Sequence, residues 1–202
     1  MIQSTLLIAV HAQLDGDVTL SVPLVIPSGT DRLAEATRAM GADIVVNVQG
    51  DQPFLDPVMI DEAVQPLLDD PALPMATLMH PVHRQEDLQD PAVVKVVVDL
   101  TGNALYFSRS LIPYPRQVLP HTVYEHVGLY VYRGAFLQKL AQLPPTPLEK
   151  IESLEQLRVL EHGFRLRVIE TRCRDHAFSG FSVDTDQDLV RAEAMLRERG
   201  LT

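Results

Sequence analysis

The chain has 202 residues, enough for one sizeable core, and its 46% hydrophobic and 22% charged residues suit a globular fold. Its net charge of -10 at pH 7 and pI near 5.0 exclude the basic footprint that nucleic acid or an anionic membrane surface would need. The single cysteine, Cys173, excludes an internal disulfide and suits a reducing cytoplasm, and no apolar run reaches membrane-spanning length.

In chain order, "STLLIAVHA" (4–12) is apolar, but no basic residue precedes it, so it does not read as a secretory signal. "SGTDRLAEATRAMG" (28–41) reads as a helix: Ser28 or Thr30 can cap it, Leu33, Ala36 and Met40 line one side, and Gly41 stops it. "DIVVNV" (43–48) has strand composition and runs into Gln49-Gly50-Asp51. "DPVMIDEAVQPLLDD" (56–70) is a helix with Asp56 as N-cap and Pro57 in its first turn, and Pro66 is expected to kink or shorten it. "PMATLMHPV" (74–82) is a strand. "VVKVVVDL" (93–100) and "ALYFSRS" (104–110) form a hairpin around "TGN". "EHVGLYVYR" (125–133) is a strand. "TPLEKIESLEQLRVLEHG" (146–163) is one helix with a Thr146–Glu149 capping box, Pro147 in the first turn and Gly163 at its end. "LRVIETR" (166–172) is a strand and 184–200 a closing helix. Strands alternating with helices over a single domain, 1–202, predict an α/β protein with a mainly parallel sheet and the hairpin as an antiparallel addition.

In open α/β sheets ligands sit beyond the carboxyl ends of strands. Asp51 stands at such an end, and Asp184 follows an apolar segment and precedes a helix. Two carboxylates so placed can hold one Mg²⁺ against phosphate oxygens, although Asp before a helix also serves as a plain N-cap and Asp after a strand as a plain turn. His80 and His83 flank Pro81, lack a third ligand and read as surface residues. Cys173 has Arg172 and Arg174 beside it but is assigned no role.

The segments "VVNVQGDQP", "SGTDRLAEA", "ALYFSRSLIPYPR", "EHVGLYVYR", "PLEKIESLEQLRVLEHG" and "VDTDQDL" together resemble the 3-deoxy-manno-octulosonate cytidylyltransferase (CMP-Kdo synthetase) family over 27–198, in the family's order. The resemblance implies a Rossmann-like nucleotidyltransferase fold, a cytoplasmic homodimer, and Mg²⁺-dependent coupling of CTP to the eight-carbon acidic sugar Kdo with release of pyrophosphate. It implies Asp51 and Asp184 as metal ligands and catalytic groups, Gln49 facing the substrates, and Ser28 and Gly29 near the cytosine. Arg109, His126, Glu155 and Gln156 would line the sugar pocket. Arg109 and His126 would grip the sugar carboxylate, and Glu155 and Gln156 would meet hydroxyls. Plainer readings stay open: a surface ion pair for Arg109, a backbone-bonded edge histidine for His126, and a salt bridge from Glu155 to Lys150 or Arg158.

Members of that family begin with a strand and a loop of the kind "IPARxxSxRLPGK", whose Arg and Lys hold the triphosphate. Here the first basic residue is Arg32. Arg32, Lys95 and Arg158 fall inside expected helices or strands and are not assigned to the nucleotide. The resemblance therefore implies an N-terminally shortened fold, with "STLLIAVHA" and "VTLSVPLVI" in place of the family's second and third strands, an unpaired edge inside the sheet and weak turnover of CTP. Two other readings remain: a glycosyltransferase using Asp184-Thr185-Asp186 as a metal-binding D-x-D pair, and a non-catalytic binding or oligomerisation module.

Overall fold

Apolar side chains alternate along the strands between two faces, and each face is covered by helices. The computed structural model describes residues 7–11, 18–21, 29–117, 120–173, 175, 181, 183 and 185–200. Within them lie β1 (Leu7–His11), β2 (Val18–Ser21), α1 (Gly29–Thr37), β3 (Ile44–Val48), α2 (Pro57–Asp69), β4 (Met75–Pro81), β5 (Lys95–Val98), β6 (Ala104–Ser108), β7 (Tyr124–Arg133), α3 (Gly134–Leu140), α4 (Pro147–Glu152), α5 (Gln156–Glu161), β8 (Arg167–Glu170) and α6 (Asp186–Glu198). Ile44 and Val46 of β3 with Ala76 and Leu78 of β4 meet Met59, Ala63 and Leu67 of α2. Val45, Met75 and Met79 point the other way, into a second core with Leu33 of α1, Leu137 of α3 and Leu157 of α5. Period-two alternation thus builds one sheet between two helical layers.

The strand order is β2-β1-β3-β7-β4-β8, with β5 joining β6 and β7. The α/β class is as expected, but the sheet is not mainly parallel pair by pair. Among the described residues only β4–β8 is a parallel pairing. β3, β4 and β8 do run in one direction, but β7 inserts between β3 and β4, antiparallel to both. β1 lies antiparallel against β3, with Ala9 opposite Val46, so β3 has a neighbour on each side and the open edge expected inside the sheet is filled.

Helix signals mostly hold. Asp56 Oδ1 accepts from Val58 N at 3.0 Å and caps α2, which runs on through Pro66 to Asp69. Pro66 sits in the last turn, where losing its N–H costs one helical bond, while Ala63 and Leu67 stay fully buried on either side of it. α1 ends at Thr37, and its turn closes at Gly41 with φ of +61°. Thr30 is not its cap, because it lies inside the helix.

The expected helix over 146–163 is two helices. The capping box of Thr146 and Glu149 starts α4 as predicted, but Ser153 takes the left-handed region at φ 55° and ends it. Glu149 and Arg158, both buried, pair across the break. Leu154 N donates to Glu149 O at 3.1 Å, closing the turn that separates α4 from α5.

Candidate active site

β3 stops where Gln49-Gly50-Asp51 turns: Gln52 N donates to Gln49 O at 3.2 Å. The neighbouring stretch of β7 carries Gly128, where an added Cβ would stand 3.4 Å from Gln52 Nε2 and 3.7 Å from Gln49 Cγ. This glycine lets the turn lie close against β7. Asp51 is half-buried, and its carbonyl accepts from Val183 N at 2.8 Å. The chain just before α6 therefore meets the turn after β3. Asp184 itself lies outside the described residues, as does Ser28; Gly29 opens α1.

Arg109 follows β6. Its Nε donates to the backbone carbonyl of Glu152 at 2.8 Å and its Nη1 to that of Pro91 at 2.8 Å. Carbonyls fix the fork in place without cancelling its charge, and among the described residues Arg109 forms no ion pair. The Glu152 carboxylate serves as a bracket, accepting from Ser108 Oγ at 2.7 Å and Arg109 N at 3.0 Å. Burial alone would raise this carboxyl, but those bonds bring it below its ordinary value. Lys95, fully buried, donates from Nζ to the carbonyls of Asp90 (2.7 Å) and Arg109 (3.3 Å), bracing the same corner from behind.

His126 is held by Thr77 rather than by backbone. Its Nε2 is 2.9 Å from Thr77 Oγ1, and that hydroxyl also lies 3.0 Å from Val127 O and 2.8 Å from Leu129 O. With two carbonyls competing for the hydroxyl proton, Nε2 is the donor, and Nδ1 is left as an acceptor. Desolvation pushes the imidazole down to about 3, so it is neutral at physiological pH. Phe107 packs edge-on against it with centroids 5.0 Å apart. A neutral ring with an acceptor nitrogen suits a hydroxyl better than a carboxylate.

The break between α4 and α5 sets the last pair. Glu155 stands just before α5, and its Oε2 accepts from Thr30 Oγ1 of α1 at 2.8 Å. The salt bridge to Lys150 or Arg158 is not formed, because Arg158 is committed to Glu149. Gln156 is buried beside it.

These pieces enclose a cleft of about 600 Å³. Gln49, Asp51, Arg109, His126, Glu155 and Gln156 all line it. Three further lining groups were not expected. Arg32 reaches the cleft from α1, and among the described residues its buried Nε has no hydrogen-bond partner. His80 is buried, not a surface residue, and faces Glu125. The signal for Arg32 was its place in "SGTDR" beside the assigned Ser28 and Gly29. His80 and Glu125 had no local signal, since their meeting depends on which strands pair. No group of three or more His, Cys, Asp or Glu able to hold a metal occurs among the described residues. Asp186 begins α6, and Thr185 and Asp188 form its capping box, so the acids there have a helix-starting role. Cys173 is buried against α2. No described helix is long and apolar enough to cross a membrane.

Comparison with known proteins agrees with this geometry. Residues 19–171 match a family described as cytidylyltransferase. A 3-deoxy-manno-octulosonate cytidylyltransferase of Syntrophotalea carbinolica is 52% identical over 179 residues, covering 84% of this chain and 70% of the relative. The enzyme of that name from Geobacter sulfurreducens is 48% identical over 181 residues, with 84% and 70% covered. Among solved structures, a CMP:2-keto-3-deoxy-manno-octonic acid synthetase complexed with CTP superposes with a TM-score of 0.80 at 42% identity, covering 87% of this chain and 70% of that one. A glucose-1-phosphate thymidylyltransferase from Bacillus anthracis, 19% identical with a TM-score of 0.53 over 88% of this chain and 64% of that one, shares the fold. The fold and the cleft at its strand ends are thus those of a nucleotidyltransferase. The chain belongs to the 3-deoxy-manno-octulosonate cytidylyltransferase family.

Proposed function

We propose that the cleft couples CTP to Kdo, giving CMP-Kdo and pyrophosphate. The observation that carries this reading is the convergence of Gln49, Asp51, Arg109, His126, Glu155 and Gln156 on one cleft, from four separate parts of the chain. Asp51 and Asp184 would hold Mg²⁺; the approach of Val183 to Asp51 supports this, and a site with few carboxylates, completed by water and phosphate, is what Mg²⁺ favours. When bound, the ion neutralises charge on the phosphate oxygens. The chain's own groups do the positioning. Arg109, charged and pre-set by carbonyls, takes the sugar carboxylate. His126 Nδ1 accepts from a sugar hydroxyl, and Glu155 and Gln156 orient others. Ser28 and Gly29 border the cytosine, and Arg32 supplies a second guanidinium for the anionic nucleotide. The sugar's anomeric oxygen then attacks the α-phosphorus in line, and pyrophosphate leaves.

Exposed Leu105 on β6 and Ile151 on α4, two elements tied together through Glu152, support a homodimer, and the composition supports a cytoplasmic location. Pyrophosphate release with CTP, Kdo and Mg²⁺ tests the function. Asp51→Asn should keep the wild-type circular dichroism spectrum and melting temperature and lower turnover about a hundredfold or more. Equal turnover in the variant would remove Asp51 from the mechanism.

A further inference from the structure

Three strands bring three ionisable side chains into one row. His80 on β4 is paired with Glu125 on β7, and Glu125 is paired in turn with Lys95 on β5. Residues directly opposite in antiparallel pairs share a face. His80 and Glu125 both line the cleft, with His80 Nε2 3.8 Å from Glu125 Oε2. The other ring nitrogen, Nδ1, lies 3.1 Å from Pro81 O and donates to it, which leaves Nε2 turned toward Glu125. An imidazole and a carboxylate thus stand side by side in the cleft wall.

The position of the pair along β7 gives it meaning. Gly128 abuts the turn that carries Gln49 and Asp51. Glu125 lies three residues before it, about 10 Å away along a strand. That is the span of a sugar acid whose attacking end sits by Asp51 and whose tail runs along β7. Arg109 stands at the same cleft for the acid's carboxylate.

We propose that His80 and Glu125 form the far wall of the sugar subsite and select for chain length, by accepting hydrogen bonds from the hydroxyls most remote from the attacked phosphorus. The proposal rests on the cytidylyltransferase reading above. Burial, with Asp87 and Asp90 adding to it and Lys95 and Arg84 opposing, pushes the Glu125 carboxyl up to about 7. Near neutral pH the wall is therefore less repulsive to an acidic ligand than a plain carboxylate would be, and its protonated form can donate as well as accept.

The test compares Kdo with a six-carbon 2-keto-3-deoxy acid that lacks the terminal diol. In the wild type, KM for the six-carbon acid should exceed that for Kdo. Glu125→Ala should raise KM for Kdo about 10- to 100-fold, leave kcat within a fewfold and leave KM for the short acid unchanged. Glu125→Gln, which keeps an acceptor, should restore part of the loss, and His80→Ala should act in the same direction. Calorimetric titration of both acids, with and without CTP, reads the same preference without turnover. A protein that holds CTP but shows no length preference, or a Glu125→Ala variant that weakens both acids equally, overturns the proposal alone. A protein that holds neither CTP nor either acid overturns the functional reading, and the proposal with it.

Discussion

Arg109 is useful because, among the described residues, no ion pair takes up its charge. Two backbone carbonyls hold the guanidinium in a fixed direction, and Lys95, whose own pKa is lowered by burial, braces the carbonyl of Arg109 from behind. Removing the fork should cost one charge-assisted interaction, about 1.5–3 kcal/mol. Arg109→Ala is therefore expected to raise KM for Kdo roughly tenfold to a hundredfold while KM for CTP stays near wild type, as steady-state kinetics would read. Glu125 has a separate effect on stability. Its carboxyl is raised in the folded state, so the fold binds that proton more tightly than the unfolded chain does. Ionisation then disfavours the fold as pH rises through about 7, and below the ordinary carboxylate range this disadvantage vanishes. Glu125→Gln should gain on the order of 1–3 kcal/mol over wild type at pH 8 and little at pH 4, a difference that thermal melts at the two pH values would reveal. The opposite trend would mean that Lys95 and Arg84 outweigh burial.

At the scale of elements, close approaches decide what each position tolerates. Gly134 begins α3 where an added Cβ would stand 2.0 Å from the carbonyl oxygen of Ala42, and its N–H donates to Asp43 O at 2.9 Å. Backbone lies on both sides, so no side chain can rotate away. Gly134→Ala should lower stability by several kcal/mol in a denaturant titration, whereas Gly163→Ala, which meets nothing within 4 Å, should lose only the cost of its φ of +76°. The caps Asp56 and Thr146 were legible from the sequence because their chemistry is local, and so was the α/β alternation. The break at Ser153 was not. Ser153, Leu154 and Glu155 are all compatible with a helix. What divides the segment is tertiary: Glu152 is bound to β6 through Ser108 and Arg109, and the Glu149–Arg158 pair closes across the gap. That division carries Glu155 to Thr30 and the cleft.

For the molecule as a whole, the misread feature was the place of β7. Its composition marks a strand, but nothing local says that it enters between β3 and β4. Pairing order is a long-range property, and it decides both the direction of the sheet and the row of His80, Glu125 and Lys95. Acidity, by contrast, was legible as a constraint. A chain of net charge -10 that receives anions must gather cations locally, and Arg32 and Arg109 do so in the cleft.

The insertion of β7 also orders events on the ribosome. Ile44 finds its partner in Arg133, 89 positions later. At about 5–20 residues per second, β3 waits roughly 4–18 seconds before the strand that joins it to β4 has been made, and β4, made later, waits a shorter time. Through that interval two apolar strands have no native neighbour between them. Nascent chains stalled at residue 120 should be readily cut by protease and captured by trigger-type chaperones, and chains stalled some 40 residues beyond Arg133 should become resistant. Resistance already present at the earlier stall would mean that β3 and β4 are sheltered by other means until β7 arrives.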